Sequence, residues 1–371
     1  MKRIGLICEY NPFHNGHIHH LQEARKICGD GIVIAVLSGY FSMRGDICVI
    51  NKYDKVKTAI DHGVNITLEL PYLLSTQNAD IFAYNSVKTL DLIGIDEIVA
   101  GSETTDLMMI EKAYNLTKNV EFNNSIKELL DKGFSYPKSF ADALLKYNIK
   151  LNSNDILNLK YYEAIQEINP NIKLTLIKRI NNNYNDKELN DSNIQSATAI
   201  RLNDNIEKYV PKCINDIKIE KGFYDINEFS NILKHLILTQ DLSNTFQAKE
   251  GIENSFKTNF NSIDELVNKL TNKRYTSSRI KRFISYILTN TKKDEIIDQN
   301  LLVRVTGFDD KGQKYLSSIK KETNYFTRLV TGINNIYDKE LQIAHIFSNT
   351  YNEDFIKIEQ KLPYIAKKDG N

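Results

Sequence analysis

Alternation constrains this chain more than any other feature: short, unbroken apolar runs recur between stretches of helical periodicity. The runs are KRIGLIC (2–8), GIVIAVLSG (31–39), NITLELP (65–71), DEIVAGSE (96–103) and IKLTLIKRI (172–180). A run without polar alternation suits a strand buried on both faces, as in a parallel sheet. Between the runs, HIHHLQEARKIC repeats Ile18, Leu21, Ala24 and Ile27 at helical spacing, and helices are likewise read over 52–62 and VKTLDLIG (87–94). Strand, helix, strand in this order predicts an α/β fold whose parallel sheet is covered by helices on both faces. Ligands in such sheets bind beyond the carboxyl ends of the strands. That edge gathers residues 8–17, 38–46, 71–80 and 101–103. Past residue 212 the strand signal fades and helical periodicity takes over, as in FSNILKHLILTQ (229–240) and RIKRFISYILTN (279–290). The expected division is a parallel-sheet domain over 1–211 and a mainly helical domain over 212–371.

Composition agrees with two units. A chain of 371 residues exceeds what one ordinary core serves. Its formal net charge of +1 supplies no global field toward nucleic acid, so any basic surface must be local. The cysteines at 8, 28, 48 and 213 have neither metal-ligand spacing nor the density of a disulfide scaffold, which fits a reducing cytoplasm. The apolar stretch 4–8 is too short for a signal-peptide core, and no run of 18 apolar residues follows. The expectation is a protein that neither spans a membrane nor is exported.

The first strand runs into CEYNPFHNGHIHH, which holds four of the seven histidines: His14, His17, His19 and His20. His14 and His17 stand three apart around Gly16, at the start of a helix. A helix start offers unpaired N–H groups and partial positive charge, suited to a phosphate. Two imidazoles there can donate to phosphate oxygens and to the charge that grows on them during reaction. Gly16 leaves room for a base or ribose to approach the backbone. Metal ligation lacks a further Cys or His at complementary spacing, and His19 and His20 read as solvated helix surface. The grouping is shaped for a nucleoside triphosphate.

NPFHNGH resembles the HxGH signature of the nucleotidyltransferase superfamily, and SATAIR (196–201) resembles its second signature, a Ser/Thr-rich turn ending in Ile-Arg. Further segments match in order: SGYFSMRGD, ELPYLLSTQNADIFAYNSV, GSE, SNDIL and KRYTSSRIKR. Together they resemble the bacterial tRNA(Met) cytidine acetate ligase family from end to end. The resemblance implies a Rossmann-like nucleotidyltransferase domain followed by a tRNA-binding helical domain. It implies activation of acetate by ATP to acetyl-adenylate, then acetyl transfer to N4 of the wobble cytidine of elongator tRNA(Met). Magnesium is expected with the triphosphate, without an assigned protein ligand. No protein partner is implied.

Carried over by position, the ATP loop comprises Ile7, Cys8, Glu9, Tyr10, Asn11, Pro12, Phe13, His14, Asn15, Gly16, His17, Ile18, His19 and His20. Gly101, Asn154 and Arg179 complete the nucleotide pocket. His14, His17, Thr198 and Arg201 are the implied catalytic group, stabilising charge on the phosphates. Ser38, Gly39, Arg44 and Asp46 are placed near acetate or cytidine. Asp155 and Asn158 depart from the family pattern in a loop expected near the adenosine. Lys273, Arg274, Arg279, Lys281 and Arg282 form a basic stretch without an acid, extended by Lys292 and Lys293. Such a stripe suits phosphate contacts of tRNA. Two other readings stay open at this stage: a cofactor-biosynthesis adenylyltransferase with the same HxGH site, and a non-catalytic RNA-binding protein on an ATP fold.

Overall fold

The computed structural model describes residues 1–180, 192–295 and 301–366. Its strands are β1 (Arg3–Cys8), β2 (Ile32–Ser38), β3 (Ile66–Leu70), β4 (Glu97–Ser102), β5 (Lys173–Lys178), β6 (Val303–Phe308), β7 (Tyr325–Phe326) and β8 (Tyr364–Ile365). They form one sheet ordered β5-β4-β1-β2-β3-β6-β7, with β8 also on β6. The five runs read from the sequence are β1 to β5, and the pairings among them are parallel.

The apolar runs are continuous because both faces are covered. On one face Ile32, Ile34 and Val36 meet Phe82, Val87 and Leu90. On the other, Val33, Ala35 and Leu37 meet Leu21, Ala24, Val56 and Ala59. Every residue of β2 and β3 is buried. The chain winds outward from β1 through β2 to β3, then returns to the opposite side of β1 for β4 and β5. The strand order thus reverses between β1 and β4, which opens a crevice at their carboxyl ends.

Two parts of the chain depart from the simple alternation. Residues 107–168 fold into the helices Leu107–Thr117, Val120–Asp131, Tyr136–Leu145 and Ser153–Ile168, around a core of their own that includes Ile110, Phe122, Phe140 and Leu159. The second departure crosses the boundary expected at 211/212. Helices dominate beyond it, but β6 returns to the sheet antiparallel to β3, with Arg304 opposite Glu69. VRVTGF carries a charge where a core strand should be apolar, and that charge is paired. Arg304 Nη1 lies 2.7 Å from Glu69 and 2.6 Å from Glu359, and Lys52 also pairs with Glu69, Glu340 and Glu359. Buried charges persist only in such networks.

The helical region docks on the loops after β2 and β3. Phe229, Leu233, Phe283, Ile284 and Phe347 share one core with Tyr40, Phe41, Tyr72 and Leu73. Among the described residues, no helix is long and apolar enough to cross a membrane.

Candidate functional site

The loop after β1 is built around its own polar side chains. Tyr10 takes φ 46°, a left-handed conformation uncommon outside glycine. Asn11 holds the turn: its Nδ2 donates to Ile47 O at 2.8 Å, and its Oδ1 accepts from Val49 N at 2.9 Å. His14 caps the helix Asn15–Cys28, its Nδ1 accepting from Gly16 N at 3.0 Å. His17 Nδ1 accepts from His14 N at 3.2 Å, so imidazoles make the reciprocal cap that Ser and Glu usually make. With both Nδ1 atoms accepting, the ring proton is assigned to Nε2 in each case.

The two rings lie 3.8 Å apart between centroids. Burial, with Arg179 and Arg201 adding repulsion, lowers His14 to about 3. Burial and then the His14 ring push His17 well below its ordinary value. Both rings are therefore neutral donors at physiological pH. A Cβ at Gly16 would sit 2.8 Å from His14 Cε1, so this glycine also makes room for the His14 ring.

A cavity of about 200 Å³ opens at the β1/β4 switch point. Ile7, Cys8, Glu9, Tyr10, Asn11, His14, Gly16, His17, His19 and His20 line it from the first loop and helix. Gly101, Asn154, Arg179, Arg201 and Arg44 join them from five other parts of the chain. His20 is not the solvated residue expected from spacing: its Nε2 is 3.0 Å from Val99 O, and burial lowers its pKa to about 4.

Four loop residues face away from the cavity. Phe13 is fully buried in the core, Pro12 is buried, Ile18 packs on the same core, and Asn15 Nδ2 donates to Asn193 O and Lys208 O, each at 2.9 Å. Thr198 also lies outside the lining. It accepts from Arg201 Nη2 at 3.2 Å, while Arg201 Nη1 donates to Asn11 O at 2.7 Å. Arg201 thus ties the SATAIR helix, Ala197–Leu202, to the HxGH loop. Ser38 and Gly39 do not line the cleft; their carbonyls accept from the buried Lys55 Nζ at 2.9 and 3.3 Å.

The rim near Gly101 is organised by the residues that depart from the family pattern. Asp155 and Asn158 lie in the first turns of the helix Ser153–Ile168, not in a loop. Asp155 is buried, and its Oδ1 accepts from Ser102 Oγ, Glu103 N and Thr104 N at 2.7 to 3.0 Å. Asn158 Nδ2 donates to Gly101 O at 3.2 Å, and Asn154 Nδ2 donates to Glu103 Oε1 at 2.5 Å. Gly101 itself makes room for Arg179, whose Cγ would be 3.3 Å from a Cβ at that position.

The basic stretch is helical, as expected, over Ser277–Leu288. Its charges are largely answered by acids from elsewhere. Arg279 pairs with Glu250 at 2.8 Å, and Lys281 pairs with Asp46 at 2.6 Å. Gly45 sits on this helix so closely that a Cβ would come within 2.4 Å of Arg282 N. Lys273 and Arg274 are exposed. The stretch is therefore in contact with the loop carrying Arg44, although the two are far apart in sequence.

Sequence reasoning missed the apolar wall of the cleft, made by Phe82, Ile98, Leu157, Tyr161 and Ile177. Their only sequence signal was strand or helix periodicity, which marks core and cleft wall alike.

A family model described as HIGH Nucleotidyl Transferase matches residues 1–362. The tRNA(Met) cytidine acetate ligase of Caldicellulosiruptor saccharolyticus is 33% identical over 390 residues, covering 97% of this chain and 98% of its own. Its namesake from Fusobacterium nucleatum is 38% identical over 350 residues, covering 88% and 87%. The crystal structure of Thermotoga maritima TmcAL bound with alpha-thio ATP superposes with a TM-score of 0.82 at 26% identity, covering 99% of this chain and all of that one. The chain belongs to the HIGH nucleotidyltransferases, within the tRNA(Met) cytidine acetate ligase family.

Proposed function

We propose that this protein activates acetate with ATP and transfers the acetyl group to N4 of the wobble cytidine of elongator tRNA(Met). The observation that carries this reading is the pair of neutral imidazoles, each with its Nδ1 committed and its Nε2–H left to donate, in a cleft shared with Arg179 and Arg201. Acetate is already a nucleophile, so the first step needs positioning and charge stabilisation rather than a base. Its oxygen attacks the α-phosphorus and pyrophosphate leaves. His14 and His17 donate to the phosphate oxygens, Arg179 and Arg201 offset their charge, and Thr198 orients Arg201. ATP enters with magnesium on its phosphates as part of the substrate. The nucleoside lies along Ile7 to Tyr10, Gly101 and Asn154.

Arg44 and Asp46 stand at the acetate and cytidine end, while Ser38 and Gly39 support that loop through Lys55. The tRNA is met by the basic turn, with Lys273 and Arg274 as its outermost charges, and by Lys292 and Lys293. Arg279 and Arg282 lie one turn apart on the helix that follows, with Lys281 on a different face. All four cysteines are free thiols, which suits the reducing cytoplasm.

The deciding assay incubates protein, ATP and acetate with and without tRNA(Met). Acetyl-adenylate and pyrophosphate without tRNA, and N4-acetylcytidine with it, are the expected products. ATP turnover with a phosphorylated small molecule but not with acetate would give the site to a cofactor adenylyltransferase instead.

A further inference from the structure

The second step needs a group that the first does not. When N4 of cytidine attacks the acetyl carbonyl, a C–N bond forms, the C–O bond to AMP breaks, and AMP leaves with that electron pair. The amine must then lose a proton, and something in the cleft must receive it.

We propose that the Glu9 carboxylate is this general base. The proposal rests on the two-step reading above. Among the described residues lining the cleft, Glu9 is the one carboxylate. It stands at the end of β1, on the loop that carries His14 and His17. Its Oε1 accepts from Met43 N at 2.6 Å, which fixes the carboxylate against the loop carrying Arg44.

Other candidates are committed elsewhere. His14 and His17 hold their proton on Nε2 and are donors. His20 Nε2 is engaged with Val99 O. Asp46, whose charge also acts on Glu9, is paired with Lys281 and does not line the cleft. Burial raises Cys8 to about 12 and lifts Tyr10 and Tyr161 above their ordinary range, so these groups are protonated.

Basicity follows from the surroundings. Glu9 is part-exposed to the cleft yet deep enough that desolvation, the largest influence, raises its pKa. Arg44 and Lys55 oppose that rise and Asp46 adds to it; Cys8, Cys48 and Tyr161 also face the carboxylate. A carboxylate with a raised pKa accepts a proton more readily than an ordinary one.

The test is Glu9→Gln, which keeps an oxygen to accept from Met43 N and removes the base. Two rates are read on wild type and variant: acetyl-adenylate formation without tRNA, and single-turnover acetyl transfer to tRNA(Met) across pH. Glu9 also stands in the nucleotide loop, so the first rate is the reference against which the second is read, and thermal melting reports folding. The second should fall about 10²- to 10⁴-fold. Wild-type transfer should climb with pH as Glu9 deprotonates and then level off, and the variant should lose that rise. Wild-type transfer by E9Q overturns the proposal. An equal loss in both steps does so too, since it makes Glu9 part of nucleotide binding. A pH rise that persists in E9Q assigns the base elsewhere and overturns the proposal. If wild type itself makes no acetyl-adenylate, the ligase reading fails first; failure confined to E9Q transfer leaves that reading standing.

Discussion

The HxGH loop and the basic turn at 273–282 are both dense in ionisable side chains, and the fold treats them in opposite ways. In the loop, His14 and His17 use one nitrogen each to cap their own helix, and the proposed role falls to the other. The site is assembled within a few residues. In the basic turn, Glu250 and Asp46 arrive from elsewhere and take Arg279 and Lys281 into ion pairs. A local hydrogen-bond pattern survives folding because its geometry is set by the backbone; a local charge pattern does not, because any distant acid can neutralise it.

The sharpest break in the comparison is His14→Ala or His17→Ala. Each removes a donor to the phosphates and should slow acetyl-adenylate formation about 10²- to 10³-fold. The lost cap should cost only about 1 kcal/mol of stability. Pyrophosphate release and thermal melting, run together, separate the two effects; near-normal rates would return the loop to a structural role.

Arg201→Ala should come next, with kcat/KM for ATP down by about 10- to 100-fold, the range of a lost charge-assisted hydrogen bond. Affinity for tRNA should be nearly unchanged. A variant that loses tRNA binding and keeps ATP use would place the SATAIR turn on the wrong substrate.

Acid should distinguish the two regions through stability. His14 at about 3, His20 at about 4 and His17 well below its ordinary value resist protonation when folded but not when unfolded. The unfolded chain therefore binds more protons around and below about pH 6.5, and stability falls as pH drops, with a slope that approaches about 1.4 kcal/mol per unit per histidine near about pH 5. The double variant His14→Ala, His17→Ala should show a shallower decline in chemical denaturation between pH 6.5 and 5. An unchanged slope would mean that neither ring is buried as described.

The smallest effect tests the basic turn itself. Lys273→Ala with Arg274→Ala should lower the salt slope of tRNA binding by about one unit per lost phosphate contact and leave the first step alone. Lys281→Ala should behave differently: it frees Asp46 beside Arg44, so acetyl-adenylate formation should fall several-fold. Identical behaviour of the two variants would remove the distinction drawn from the Lys281–Asp46 pair.

Much of the sheet and of the nucleotide loop was legible in the residues. Strands β1 to β5 are apolar runs, and their period needs no partner to be read. Strand β6 was not legible, because Arg304 makes sense only beside Glu69 and Glu359. For the same reason, the return of the chain to the sheet beyond residue 212 was not foreseen. Ser38 and Gly39 belonged to a conspicuous motif, yet their carbonyls serve Lys55 instead of the cleft. Phe82, Ile98 and Leu157 could not be told from ordinary core, since a cleft wall and a core use the same side chains.

By itself, the sequence determined the parallel sheet, the edge at which its loops converge, and the residues that cap and arm the first helix. Those features depend on contacts a few residues apart or on burial of whole runs, which composition and spacing encode directly. Tertiary structure alone decided which charges remain available, that Glu9 stands as the carboxylate on the cleft wall, and that the Ser277–Leu288 helix rests on the loop bearing Arg44. Each of those depends on groups tens to hundreds of residues apart meeting at low dielectric, where one paired charge changes the chemistry of its neighbours.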